Sequence, residues 1–430
     1  MNEISQNYDL DLAALPVSLE GKRIAIVHDQ LYTIGGAEKV LKTICDLFPD
    51  ADVFALFSTL NDQERQHLMG NRMPKTTFLQ KAPFVKKLRK LYFAMMPLAI
   101  EQLDLSKYDV VLSSSYLVAK GILSHPTQTH ICYMHSPMRY AWDHQTSYIQ
   151  SMRSFFGLRR FFARLLLHYM RGWDVRSNNG IDVLIVNSRF IAKRVSKAYR
   201  RQSFVLHPPV DLSEFTVKED VQREPDLFVT MSRITEGKRI DLLVDAFRQL
   251  PQCRLEIIGD GPLLNHVARN APKNVTFYGR LETTQAVEKI RKASGFVYAA
   301  EEDFGIAPVE AQACGTPVIA LGRGGTLETV VGSESPDDIA PTGTFFKEQS
   351  PTEIAQAVKR FQDLRGKFSS AACRENAEQF ASPLFVKRLI EMIDISVKGV
   401  DFSTAGLPNM ERQPEWHVSQ STSKQIAYHS

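Results

Sequence analysis

"KRIAIVHDQLYTIGGAEKVLKTICDLF", residues 22–48, begins with a β-branched apolar run, turns through Gly35-Gly36 and continues with helical spacing. The order is strand, glycine turn, helix. A run such as "IAIV", apolar throughout rather than alternating, suits a parallel strand covered on both faces. The alternation recurs in "DVFALFS" (52–58), "YDVVLSSS" (108–115), "THICYMH" (129–135), "DVLIVNS" (182–188) and "SFVLHPP" (203–209), with helical stretches between most of them. After a polar linker, 211–226, it restarts with "LFVTMSR", "CRLEIIGDG", "NVTFYG", "SGFVYAA", "TPVIALG" and "GTFF". The expected fold class is α/β, two doubly wound Rossmann-like domains facing a cleft. Ligands in such sheets bind at the carboxyl ends of the strands.

A length of 430 residues agrees with two domains, being about two to three times a usual single-domain size. The formal net charge of +4 is too small to suggest nucleic acid, and no nucleic-acid partner is expected. Five scattered cysteines without a CxxC pair argue against a disulfide framework or a zinc site and suggest a reducing compartment. The first twenty residues carry Glu3, Asp9, Asp11 and Glu20 where a secretory signal needs a basic start and an apolar core. The longest nearly apolar run, "YFAMMPLAI" (92–100), is too short to span a bilayer and is broken by Pro97. The tails, 1–20 and 402–430, are polar and expected to be poorly ordered.

Candidate chemistry gathers at strand ends. In "SRITEGKRI" (232–240), Arg233 and Lys238 follow the first strand of the second series, where the two cations can converge on one anion. A solvated basic loop is the plain alternative. Gly35 and Gly36 let backbone N–H groups approach a phosphate. "GDGP" (259–262) is not a GxGxxG and reads as a tight strand-to-helix turn. In "EEDFGIAPVEAQACGTPVIA" (301–320), a strand delivers Glu302 to its carboxyl end and a short helix carries Glu310 inward. The N–H groups of Gly305, Ile306 and Ala307 at the start of that helix are expected to face the same anion. The alternative makes Glu302 a surface acid and pairs Glu310 with a neighbouring lysine.

Gly35-Gly36, Arg233 with Lys238, and E-D-F-G-I-A-P-V-E together resemble the retaining glycosyltransferases of the GT-B fold, family 4, over about 22–400. "CYMHSPMRYAWD" (132–143) is similar, more narrowly, to bacterial members that build exopolysaccharide or O-antigen units, many of them mannosyltransferases. The resemblance implies a first, acceptor-side domain at 21–212, a nucleotide-sugar domain at 225–381, and a helix, 382–401, crossing back to the first domain. It implies that Arg233 and Lys238 neutralise the departing diphosphate, that Glu310 accepts from ribose hydroxyls, and that Glu302 holds the transferred sugar. His135 would face the reacting sugar, and Gly35 and Gly36 would close on the phosphates. Phe304, Gly305, Ile306 and Ala307 join the donor site, and the base would lie near Gly279 and Arg280. The implied reaction moves a hexose, best read as mannose from GDP-mannose, with retention onto a lipid-linked saccharide or polysaccharide precursor. A UDP- or dTDP-sugar donor, a sugar-nucleotide epimerase and a non-catalytic sensor are the alternatives. No cofactor is expected, and no metal: the one Asp-x-Asp triplet, Asp9-Leu10-Asp11, lies in the tail.

Two basic segments point to the acceptor side. "KAPFVKKLRK" (81–90), with Lys86, Lys87 and Arg89, has five basic residues and no acid. "SMRSFFGLRRFFARLLLHYMR" (151–171), with Arg159, Arg160 and Arg164, has five arginines and no acid among aromatics and leucines. Arg160, Arg164 and Arg171 can share one helix face, with Phe162, Leu165 and Tyr169 on another. That suits an interfacial helix on an anionic membrane, and hence a cytoplasmic, peripheral location on the inner face of the plasma membrane. A core helix with a solvated basic back is the alternative.

Overall fold

The computed structural model describes residues 16–400 apart from 90, 144, 147–148, 150–156, 219–220 and 334–339. Of the expected tails, 1–15 and 402–430 lie outside the described residues, as does the start of the second basic segment at 151–156. The rest of the first tail, 16–20, is ordered instead, because Leu19 is buried in the first-domain core.

The first sheet has seven parallel strands: β1 Ile24–His28, β2 Asp52–Ala55, β3 Lys75–Thr76, β4 Val110–Ser115, β5 Thr129–Met134, β6 Val183–Val186 and β7 Phe204–Val205. Their order is β3-β2-β1-β4-β5-β6-β7. The second has six: β8 Glu224–Met231, β9 Arg254–Ile258, β10 Val275–Gly279, β11 Ala293–Tyr298, β12 Val318–Leu321 and β13 Gly343–Phe346, in the order β10-β9-β8-β11-β12-β13. In both, strand order reverses beside the first strand, between β1 and β4 and between β8 and β11. Connections leave to opposite faces there, which opens a crevice at the carboxyl ends. His28, Ser114 and Ser115 end the strands at the first switch point; Met231 and Tyr298 end them at the second.

The first helix, α1 (Gly36–Leu47), buries Val40, Leu41, Ile44 and Cys45, which share one face by their spacing of three and four. Glu38 reaches back from the first turn to accept the Gly35 N–H at 2.8 Å, a contact that satisfies an otherwise unpaired donor at the helix start. A later helix, α2 (Leu158–Arg176), lies on the other side of the first sheet and buries Leu167, Met170 and Trp173. The following helix, α3 (Arg189–Tyr199), starts with Ser188 accepting the N–H of Ile191 at 3.1 Å.

The expected linker proves shorter. Leu212 and Phe215, inside 211–226, are buried in a second-domain core with Val229, Phe296 and Phe304. Their apolar side chains fill the face of β8 and β11 rather than bridging solvent. The chain crosses back at Val210, bridged to Ala381. It then enters the last described helix, α5 (Ser382–Val397), in which Phe385, Val386, Leu389, Met392 and Ile393 join the core of the first domain. Five such burials at about 1.5–3 kcal/mol each hold the crossing helix on the first domain. The fold is the expected α/β pair of parallel sheets. Helix α4 (Ile306–Ala313) belongs to the cleft described next.

Candidate active site

Gly305 at φ +93 starts α4, a left-handed turn that costs an L side chain energy but not glycine. The turn is held from outside: Gly325 donates its N–H to the Glu302 carbonyl at 2.8 Å. A Cβ on Gly325 would sit 2.3 Å from Phe304 Cα, so only glycine permits the approach. Among the described residues, the N–H groups of Gly305, Ile306 and Ala307 meet no protein acceptor. They remain available to an anion.

Helix α1 comes up against this turn from the first domain. A Cβ on Gly36 would lie 3.5 Å from Ile306 Cδ1, so the two helix starts face each other across the cleft. One turn along α1, Lys39 Nζ lies 2.6 Å from Glu310 Oε1. Glu310 is buried and Lys39 about half exposed. Glu310 does pair with a lysine, but one from the opposite domain, 271 positions away, rather than a neighbour.

Lys238 forms a short ion pair with Glu302, and its ammonium stands 3.3 Å from the Tyr298 hydroxyl. Burial lowers the pKa of Lys238, but Tyr298 and Glu302 more than offset this and raise it above the ordinary lysine value. The ammonium stays charged. Arg233 is exposed and has no carboxylate partner among the described residues. The two cations are thus unequal: one balanced by Glu302, the other free for a ligand.

Other expected residues separate into those at the cleft and those apart from it. The 259–261 turn packs under Arg233: a Cβ on Gly259 would meet the Ser232 carbonyl at 1.9 Å, and the Gly259 N–H donates to the Gly279 carbonyl at 2.7 Å. Gly279 and Arg280 therefore stand two loops from Arg233. Phe304 turns inward, with its ring 5.4 Å from those of His207 and Phe380. Its aromatic bulk fills the core beneath α4, which leaves only its backbone for a donor. His135 ends β5, nearly buried, with its Nε2 2.8 Å from Ser114 Oγ. Burial first, and His28 second, pull its pKa down to about 3, so the ring is neutral.

Several residues that sequence reasoning missed join the domains. Asp303 forms a short ion pair with Arg139 and another, at 3.1 Å, with Arg194 of α3. Glu328 accepts the N–H groups of Arg189 and Phe190 at 2.8 and 2.9 Å and stands 3.1 Å from His207 Nε2. Burial raises the pKa of Glu328, but the His207 contact and the two N–H donors outweigh it and hold the carboxyl below its ordinary value. Glu38 was readable from its spacing to Gly35; Lys39, Asp303 and Glu328 carried no local signal.

On the acceptor side, Lys86, Lys87, Arg159, Arg160 and Arg164 are exposed. Arg89 is half-buried, its guanidinium 4.8 Å from the Tyr32 ring centre. Arg171 shares the face of Arg160 and Arg164 by its spacing on α2, but its guanidinium turns in and donates to the Ala141 carbonyl at 3.1 Å. Leu158, Phe161, Phe162, Leu165 and Tyr169 of α2 are each more than half exposed.

Two family models divide the chain as the sheets do. Residues 34–214 match "Glycosyltransferase Family 4" and 213–380 match "Glycosyl transferases group 1". The chain is a GT-B glycosyltransferase of the family 4 type. It is 30% identical over 178 residues to the GDP-mannose-dependent monoacylated alpha-(1-6)-phosphatidylinositol monomannoside mannosyltransferase of Corynebacterium glutamicum, covering 35% of this chain and 47% of that one. It is 24% identical over 370 residues to the alpha-1,3/1,6-mannosyltransferase of Schizosaccharomyces pombe, covering 72% of this glycosyltransferase and 69% of the relative. The chain spans about half the length of several curated relatives it matches, among them the corynebacterial enzyme. The fold likeness is wider than the sequence likeness. Anabaena Alr3699/HepE, solved in complex with UDP, superposes with a TM-score of 0.60 at 17% identity, over 86% of this chain and 99% of that one. Sucrose-phosphate synthase of Thermosynechococcus elongatus does so at 0.61 and 16%, over 86% and 98%.

Proposed function

We propose that this glycosyltransferase moves mannose from GDP-mannose to a lipid-linked saccharide or polysaccharide precursor, with retention and without a metal. One observation carries the reading: Glu302 and Glu310, on either side of the open N–H groups of 305–307, are each held by a lysine, Lys238 and Lys39. Lys39 and Lys238 sit on these two carboxylates. On binding, the diphosphate takes Lys238 and Arg233, ribose hydroxyls replace Lys39 at Glu310, and sugar hydroxyls replace Lys238 at Glu302.

Glycosyl transfer passes through an oxocarbenium-like state while negative charge grows on the departing diphosphate. Cations and helix N–H groups already in place stabilise that charge without reorganisation. Retention follows in this reading if the acceptor attacks on the face the phosphate leaves, with a phosphate oxygen taking the acceptor proton. The C1–O bond to phosphate breaks, the C1–O bond to the acceptor forms, and nucleoside diphosphate departs.

Mannose draws support from the names of the corynebacterial and fission-yeast relatives, and GDP-mannose and a lipid-borne acceptor from the corynebacterial name alone. The exposed apolar side chains of α2 beside Arg159 and Arg164, and exposed Phe84 and Leu91 beside Lys86 and Lys87, support docking on an anionic leaflet. Among the described residues, no helix is long and apolar enough to cross a membrane.

The test is product analysis. The full chain is incubated with radiolabelled GDP-mannose, UDP-glucose or dTDP-glucose and a polyprenyl-diphosphate-linked sugar, and the label is followed. Label on lipid from GDP-mannose supports the proposal; label on lipid from another donor overturns the donor. Epimerised donor, or none consumed with any donor, overturns transfer to this acceptor class.

A further inference from the structure

The floor of the first-domain half of the cleft holds four polar side chains in a row. Glu38 accepts the Gly35 N–H through Oε2 and stands 3.5 Å from His28 Nε2 through Oε1. His28 Nδ1 lies 3.1 Å from Ser114 Oγ, which lies 2.8 Å from His135 Nε2. All four are buried, His28 completely. The adjacent carboxylate, Asp29, is engaged elsewhere, accepting the N–H groups of Tyr116, Leu117, Val118 and Ala119.

The direction of each hydrogen bond follows from the first. A carboxylate oxygen accepts, so His28 Nε2–H donates to Glu38, and a ring carrying that one proton offers Nδ1 as an acceptor. Ser114 has one proton, which it donates to His28 Nδ1. Its oxygen is left to accept from His135 Nε2–H, and neutral His135 keeps a lone pair on Nδ1. The neighbouring pair provides a contrast: His130 Nδ1 stands 2.9 Å from the Gly180 carbonyl, an acceptor only, which puts the ring proton on Nδ1 and leaves Nε2 to accept from Ser113 Oγ at 2.8 Å.

We infer that Glu38, His28 and Ser114 are positioning residues that hold His135 as the Nε2–H tautomer, presenting Nδ1 as a hydrogen-bond acceptor to the transferred sugar. This rests on the reading of His135 as the residue that faces the sugar. A lone pair directed at a ring that gains positive charge stabilises it, whereas an imidazolium there opposes it. The ring is also fixed in orientation, packed edge-on by Tyr116 at 6.4 Å and Tyr133 at 5.2 Å. Burial keeps it neutral across the working pH range. The relay explains why an acid stands three residues beyond Gly35: the same carboxylate closes the start of α1 and sets the histidine.

The direct test needs no variant. Nitrogen-15 spectra of histidine-labelled full-length protein, with nucleoside diphosphate bound, report which ring nitrogen of His135 carries the proton. Nε2–H is expected; Nδ1–H would overturn the relay. In kinetics, Ser114→Ala is expected to lower kcat about tenfold, the effect of one lost buried hydrogen bond. Donor KM and affinity for bare nucleoside diphosphate should stay at wild-type values, and Ser114→Thr, which restores the hydroxyl, should recover most of the rate. Ser114→Ala should cost nothing further in a His135→Ala background. A slow His135→Ala enzyme with a wild-type Ser114→Ala enzyme overturns the relay alone. A His135→Ala enzyme at the wild-type rate overturns the sugar contact, and the relay's function with it.

Discussion

Arg233 and Lys238 sit five residues apart, yet only Lys238 is balanced by an acid. If both neutralise the departing diphosphate in a site shielded from water, replacing either with Ala should lower kcat by about two to three orders of magnitude, as loss of one preorganised donor does. Steady-state kinetics with the identified donor check this. More than half of wild-type turnover would remove the residue from the catalytic set. Lys39 allows a prediction of opposite sign, because it pairs with Glu310. Lys39→Met should therefore tighten binding of nucleoside without phosphates, since ribose no longer displaces an ammonium, and calorimetry reads the change. Neither Lys39 nor its pairing was legible in sequence, because its partner lies 271 positions away. Glu302 and Glu310 were legible because one loop and one helix turn set their spacing.

At the scale of elements, helix starts carry much of the architecture. The domains meet where Glu328 caps the first turn of α3, with a carboxyl pKa held below its ordinary value. A depressed carboxylate contributes stability that is present above its unfolded pKa and lost as pH falls through the folded one. The cap should hold at neutral pH, begin to weaken below about pH 4.3, the ordinary glutamate value, and be lost only as pH falls through the lower folded value. Glu328→Gln should speed hydrogen exchange at Arg189 and Phe190 at pH 7; unchanged exchange would show that the charge does not matter. Helix α2 yields a second test. Arg159→Glu with Arg160→Glu and Arg164→Glu should release the protein from anionic vesicles, each basic residue near such a surface being worth on the order of 1 kcal/mol. Absent binding in the wild type would remove the interfacial reading. The sequence placed α2 and the shared face of its arginines, but not the inward turn of the Arg171 guanidinium, since helical spacing does not say which end of a face meets the protein.

Across the whole molecule, the strands were legible because buried parallel strands are apolar throughout, as in "IAIV" of β1 and "VIAL" of β12. The edge strand β3 was not, being two residues, Lys75 and Thr76, with no apolar run. Leu212 and Phe215 were misplaced in a linker because isolated apolar residues among polar ones carry no period. A global property follows from two histidines buried neutral in the first domain, His130 with its pKa drawn down to about 4 and His135 to about 3, both chiefly by burial. An unfolded histidine titrates near about 6.5, so their contribution is fully present above that pH and is lost as pH falls toward 4. Denaturant melts at pH 7.5, 6 and 5 should show falling stability; a flat profile over that range would contradict the burial.

The central claim is that Glu302 and Glu310 hold the two ends of one nucleotide sugar. Titrating Glu302→Gln and Glu310→Gln with the bare nucleoside diphosphate and with the intact donor tests it most directly. Glu310→Gln should weaken both ligands alike, because both carry the ribose; Glu302→Gln should leave the bare nucleotide near wild-type affinity and affect only the sugar-bearing donor and its turnover. Equal weakening of the bare nucleotide by the two variants would contradict the account.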